Sequence, residues 1–271
     1  MISSKSSIDS SASIGKNVLI GDFCVIGKNV KIDDNCKLIH SVNIQANSKI
    51  GKNNVFYPYS CIGSIPQDLK YKGEESFLEI GNNNIFRESC TISLGTEHGG
   101  LITKIGSNSL FMINSHVGHD CQIGNNTIIA NNVALAGHCI INDYVVIGGN
   151  SAALQFTNIG VGSMIGGMTG VDKDILPYSL IKGNRCYYEN LNLIGLKRKG
   201  FVYKDLGEMA TIGKSKAVVD ILDFRFGGLS AWLIWLFVHL IAITNFKNKL
   251  MIFTQWFWSY LTYQRHSRII R

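Results

Sequence analysis

The stretch SASIGKNVLIGDFCVIGKNVKIDDNCKLIHSVNI, residues 11–44, carries an aliphatic side chain at every sixth position: Ile14, Ile20, Ile26, Ile32, Leu38 and Ile44. The step begins at Ile8 and runs on through Ile50, Phe56 and Ile62. It resumes with Ile80, Phe86 and Ile92, and again from Ile105 to Val171. A period of six fits neither an amphipathic helix nor an alternating strand. It fits short strands joined by tight corners, with the aliphatic residue pointing inward and a glycine or asparagine taking the corner conformation. This is the hexapeptide pattern of a parallel β-helix. Four residues beyond each key position the side chains are small or apolar, as at Val18, Cys24, Val30 and Cys36. Cys24 and Cys36 therefore read as small core residues.

Three hexads close one coil of about 18 residues, so residue n stacks on residue n+18 at about 4.8 Å. The period breaks at 64–77 and 95–104, and a solenoid must expel such stretches as loops, where binding residues gather. The reading is a β-helix over 1–182, a connector over 183–202 and a separate tail over 203–271. Handedness does not follow from the pattern.

Stacking brings chemistry together at HVGHDC (116–121) and LAGH (135–138). It sets His119 beside Gly137 and His138, with His116 in the same strand-and-corner region. Three histidines converging on one outer edge, with Asp120 adjacent, point to acid–base work, because an imidazole takes up a proton near neutral pH. Spacings of three and nineteen residues suggest no metal ligand set, and no CxxC pair occurs. Neither metal nor cofactor is expected.

The net charge of +7 is uneven. Residues 202–271 hold nine Lys/Arg, four Asp/Glu and all four tryptophans. The cations flank apolar runs at 229–246 and 250–261 and form no basic stripe, which favours a membrane surface over nucleic acid. The expectation is a helical pair lying at the interface; the alternative is a buried helical hairpin packed on the β-helix. Seven scattered cysteines and an N-terminus without an apolar segment favour the cytoplasm.

Several motifs then occur in order: IPQDLKY (65–71), IFRESCTI (85–92), HVGHDC, LAGH, LQF (154–156), MIGG (164–167) and NLIGLKRKGF (192–201). Together they resemble the UDP-N-acetylglucosamine O-acyltransferases that begin lipid A synthesis. The resemblance covers residues 1–201. It implies a left-handed β-helix, a homotrimer with sites between subunits, and transfer of an (R)-3-hydroxyacyl group from acyl carrier protein to the sugar 3-hydroxyl. It implies His119 as general base, Asp120 orienting or tuning it, and the Gly137 N–H facing the oxyanion. It further implies that His116, His138 and Gln155 contact sugar, acyl amide or phosphate. Asp68 and Lys70 match sugar- and phosphate-binding residues, and Asn192 and Arg198 match contacts to the acyl chain and the nucleotide. Gly167 matches a position that leaves room for a longer acyl chain. Leu154 stands where the family usually has histidine, and Ile194 where it often has glutamate. A non-catalytic or weakly active hexapeptide scaffold, tethered by its tail, is the alternative.

After Phe201 the family's compact helical domain does not follow. Residues 203–220 and 227–265 instead resemble the C-terminal membrane-attachment end of type II NADH dehydrogenases, with no dinucleotide fingerprint before them. The tail is expected to be α-helical, to sit on the cytoplasmic membrane face through 227–265, and to take no part in catalysis.

Overall fold

The computed structural model describes residues 1–198 and 200, and beyond them 208–211, 217–221, 224–228, 230 and 233. The chain divides into two compact units, Met1–Phe201 and Val202–Arg271.

The first unit is a parallel β-helix. Its strands, mostly of two residues, stack into sheets of nine, eight and ten among the described residues. The nine-stranded sheet runs from Ser7–Ile8 to Gly170–Val171, the eight-stranded from Ser13–Ile14 to Asn158–Ile159, and the ten-stranded from Leu19–Ile20 to Tyr187–Leu191. Each key aliphatic from Ile20 onward is buried, so one side chain per strand fills the interior. Phe56, Phe86 and Phe111 stack there with ring centroids 4.9 and 4.8 Å apart, the spacing of the strands themselves. Cys24 and Cys36 lie in this core, and all seven cysteines are free.

The corners differ from the expectation in one respect. The left-handed residue is the third after the key aliphatic, as at Asn17, Asn29, Asn35 and Asn53, with φ of 57–62°. Asparagine tolerates that conformation, and its amide bonds to the next one along the ladder, as Asn53 does to Asn83 at 2.9 Å. The glycine that follows the aliphatic serves close approach instead. A Cβ on Gly21 would lie 1.5 Å from the Ile39 carbonyl oxygen of the next coil.

Register is 18 residues where the period is unbroken, as in Val25↔Asn43 and His116↔Ala134. It becomes 30 at Cys61↔Thr91 and 25 at Thr91↔His116. The interruptions thus insert 30 − 18 = 12 and 25 − 18 = 7 residues. Their edges shift slightly from the expectation: Ser64 and Phe77 belong to strands, and Ile102–Ile105 is a strand. Both loops leave at the corner between the nine- and eight-stranded sheets, on consecutive coils. The last coil is two residues short, with Met164↔Leu180 in register. Strand Tyr187–Leu191 then turns back antiparallel, and helix Leu193–Arg198 follows.

The second unit departs from the helical expectation at its start. Glu208–Thr211, Ala217–Ile221 and Phe224–Gly228 form an antiparallel sheet. AVVDI is rich in β-branched residues, which suit a strand. Most of 227–265, where the interfacial helices are expected, lies outside the described residues.

Candidate active site

The corner from which both loops emerge also carries the histidines. In the coils before the loops it is formed by Asn29 and Asn47; in those after them, by Asp120, His138 and Phe156, at φ of 61°, 62° and 66°. Asp and His are among the few residues that accept this backbone, so two chemically active side chains occupy a ladder otherwise suited to asparagine.

His119 points away from the β-helix interior but is covered, at 4% exposure, rather than open to solvent as an outward side chain would be. Its Nδ1 is 2.7 Å from Asp120 Oδ2. A carboxylate only accepts, so Nδ1 carries the proton and Nε2 is left with its lone pair. The ring lies against Gly137: a Cβ there would be 2.4 Å from Cε1 and 2.5 Å from Nε2. The Gly137 N–H donates no hydrogen bond among the described residues, while its carbonyl accepts one from Phe156 N–H. His138 meets His119 edge-to-face at 5.0 Å and stacks on Phe156 at 4.5 Å. His116 Nδ1 lies 2.8 Å from Thr91 Oγ1. Burial holds both His116 and His138 below the usual histidine range; at His138 the Asp120 charge opposes that shift.

Asp120 is held by the second loop. Thr96 N–H donates to Oδ1 at 2.7 Å, Thr96 Oγ1 donates to Oδ2 at 2.6 Å, and the Asp120 N–H donates to Thr103 Oγ1 at 2.8 Å. Gly99 presses on the carboxylate, for a Cβ there would be 1.9 Å from Asp120 Cγ. These loop residues are absent from the sequence reading. Counting back 18 from Asp120 reaches residue 102, and only the seven inserted residues bring Thr96 over it.

The first loop carries Asp68 and Lys70. The Lys70 N–H bonds Asp68 Oδ1 at 2.9 Å and is the main cause that lowers the carboxyl's pKa; the nearby His119 and His138 lower it further. That influence places Asp68 in the field of the histidine cluster. Gln155 and Leu154 are exposed on the next coil. Asn192 stands elsewhere, over the corner between the eight- and ten-stranded sheets. Its Nδ2 donates to Gly162 O at 2.8 Å, and its Oδ1 accepts from Gly195 N–H, capping the short helix. The side chain of Arg198 lies outside the described residues.

His119, Asp120 and His138 offer three potential metal donors within 4.8 Å of one another, a grouping the spacing did not suggest. Asp120 accepts three hydrogen bonds, two of them on the Oδ2 that faces His119 and His138. Cys121 turns inward, its thiol donating to Ala136 O. A groove along the eight-stranded sheet carries Lys49, Glu79, Lys104 and Asp143 but no histidine or cysteine.

Residues 11–38 and 102–137 match the bacterial transferase hexapeptide family, and 174–215 match the second domain of UDP-N-acetylglucosamine O-acyltransferases. That likeness therefore runs past Phe201. Residues 206–266 match the NDH2 C-terminal domain. The acyl-[acyl-carrier-protein]--UDP-N-acetylglucosamine O-acyltransferase of Akkermansia muciniphila is 55% identical over 195 residues, 72% of this chain and 75% of that one. The protein so named from Anaeromyxobacter is 41% identical over 160 residues, 59% of this chain and 62% of its own length. The chain thus spans about three fifths of that relative. A solved UDP-N-acetylglucosamine acyltransferase from Bacteroides fragilis superposes with a TM-score of 0.73 at 44% identity, covering 74% of this chain and 79% of its own.

Proposed function

The chain belongs to the UDP-N-acetylglucosamine O-acyltransferase family, a family of left-handed hexapeptide β-helices, and we propose that it performs the family's reaction. An (R)-3-hydroxyacyl group passes from the thioester of acyl carrier protein to the 3-hydroxyl of UDP-N-acetylglucosamine, the first step of lipid A synthesis. The observation that carries this reading is the His119–Asp120 pair lying against the free Gly137 N–H.

His119 Nε2 takes the hydroxyl proton as the sugar oxygen attacks the thioester carbonyl. Asp120 holds the imidazole in the tautomer that leaves Nε2 open. The Gly137 N–H stabilises the developing oxyanion, an effect of about 3 kcal/mol for one such donor. Collapse expels the carrier thiolate, and the proton on His119 goes to that leaving group. No cofactor enters. His116, His138 and Gln155 flank the reacting atoms, and Asp68 and Lys70 hold the sugar nucleotide from the loop above.

Three copies complete the site. Asn192 lies at a different corner from His119, so it reaches a histidine cluster only on a neighbouring subunit. The outward faces support the assembly. On the ten-stranded sheet Ile85, Leu110, Ile128, Val146 and Met164 stack in register as an apolar ladder. On the eight-stranded sheet the outward residues include Lys31, Lys49, Glu79 and Lys104. A solvent-facing apolar ladder of that length favours a protein partner.

The second unit is read as a peripheral attachment to the cytoplasmic membrane face. The NDH2 C-terminal match over 206–266, the four tryptophans and the flanking cations support it. Among the described residues no helix is long and apolar enough to cross a membrane.

The test is product formation by the purified full chain from UDP-N-acetylglucosamine and hydroxyacyl carrier protein of several chain lengths. His119→Ala is expected to lower kcat by at least ~100-fold with the β-rich circular dichroism unchanged. A wild-type protein that makes no product at any chain length would leave the scaffold reading in its place.

A further inference from the structure

Resting on that reading, we propose that Thr96 is a positioning residue that acts through Asp120 to set the tautomer and orientation of His119. Thr96 is 1% exposed and gives Asp120 two donors, one to each carboxylate oxygen, at 2.7 and 2.6 Å. The terminal torsion of an aspartate is broad and roughly two-fold. A single bond from His119 would leave the carboxylate plane free to turn. Donors on both oxygens fix that plane, and the plane fixes where Oδ2 meets His119 Nδ1.

The proton count agrees. Oδ2 accepts the Thr96 hydroxyl and the His119 N–H together, while His138 Nε2 stands 3.7 Å away from the same oxygen. Without the hydroxyl, Oδ2 loses the donor that opposes a turn toward His138, and the neutral His119 ring is less firmly held with its proton on Nδ1. The Nε2–H tautomer cannot act as a base toward the sugar.

The loop is shaped for the task. Leu101 N–H bonds Thr96 O at 2.8 Å and closes the turn. Gly99 covers the carboxylate so closely that a Cβ would overlap Asp120 Cγ. Thr103, where the chain returns to the sheet, accepts the Asp120 N–H. The seven inserted residues thus clamp Asp120 from the side facing away from the core.

The experiment compares Thr96→Val, which removes only the hydroxyl bond, with Thr96→Ser, which keeps it. Two readouts are taken on the full chain: kcat and KM, and the 15N spectrum of labelled histidine, with His119 assigned by its absence in His119→Gln. Thr96→Val is expected to lower kcat about tenfold or more with KM for the sugar nucleotide within about twofold, as loss of an orienting outer partner does. Its His119 signals should move from a single Nδ1–H form to a mixture. Thr96→Ser should restore kcat to within about threefold and the single tautomer. Wild-type kinetics and tautomer in Thr96→Val would overturn the proposal, and so would a serine variant as impaired as the valine one. Should the valine variant not fold, Thr96→Ala is measured in its place by the same criteria. The tautomer needs no turnover, so an inactive wild type would refute the reaction while the spectra still decide the role of Thr96.

Discussion

Adding one methyl group at Gly137 should disable the reaction while sparing the scaffold. The Cβ of Gly137→Ala would stand 2.4 Å from His119 Cε1, 2.5 Å from Nε2 and 2.9 Å from Nδ1. Carbon contacts settle at about 3.5 Å or more, so the imidazole must retreat by about 1 Å. That retreat takes the ring out of line with Asp120 Oδ2, which its Nδ1 now meets at 2.7 Å, and out of line with the reacting atoms. A shift of that size away from a reactive alignment costs about 100-fold in kcat, or about 2.7 kcal/mol in the barrier. The backbone has no such objection. Gly137 is not among the residues at positive φ, so alanine is allowed there. Replacing glycine by alanine narrows the unfolded ensemble by about 0.4–1 kcal/mol, which offsets much of one lost hydrogen bond. The measurement is steady-state kinetics alongside thermal melting. A kcat near wild type would refute the placement of the ring over Gly137. A large fall in melting temperature together with kcat would make Gly137 a scaffold glycine instead.

Three further outcomes follow from the structure. His116 and His138 have depressed folded pKa values, so below the ordinary histidine range the unfolded chain binds protons that the folded one refuses. Stability should therefore be full above about pH 6.5 and fall as pH drops below it, and His116→Asn should flatten that slope in urea titrations; an unchanged slope would remove burial as the cause. Val146→Glu puts a charge in the middle of the apolar ladder and should convert the trimer to monomer in light scattering, whereas Gln122→Glu on the charged face should not; a trimeric Val146→Glu would exclude the ten-stranded sheet as the interface. Deletion after Phe201 should move the protein from the membrane fraction to the soluble one with its β-rich spectrum intact; a full-length chain that is soluble without detergent, or a truncated one that aggregates, would count against an anchor.

What could be read from the chain alone depended on whether a position obeys the six-residue step. The core did, because each two-residue strand offers the interior one side chain, and that side chain is apolar at every key position from Ile20 to Val171. The meeting of His119 with Gly137 and His138 followed from the same step, since no insertion separates those coils. The function of the glycines did not, because a corner glycine and a close-approach glycine look alike in sequence; the spatial neighbour, Ile39 over Gly21, distinguishes them. The apolar ladder was present at the position before every third key aliphatic, but a half-exposed Val or Ile is unremarkable until register aligns several of them. At the second unit the step had ended, and the β-branched run 217–221 forms a strand inside a tail expected to be helical throughout.

The loops are where the period fails and where the chemistry is completed, and these are one fact. A strict solenoid can place at a corner only what a coil supplies: one left-handed residue and its neighbours, each repeated at strand spacing. That suffices for His119, Asp120, Gly137 and His138. At Asp120 an unbroken coil would set Ile102, which has no side-chain donor, 18 residues before the carboxylate. Seven additional residues at that same corner let the chain fold back and bring Thr96 N–H, Thr96 Oγ1 and the Gly99 backbone onto Asp120 together. Twelve more, one coil earlier, carry Asp68 into the field of the same histidines. The cost to the scaffold is small, since the loops leave between strands and the ladders on either side stay in register at offsets of 30 and 25. An insertion at either of the other corners would be equally tolerated by the sheets and would reach none of these groups. The coincidence of both insertions with the histidine corner is therefore the feature of this chain that most directly marks where it works.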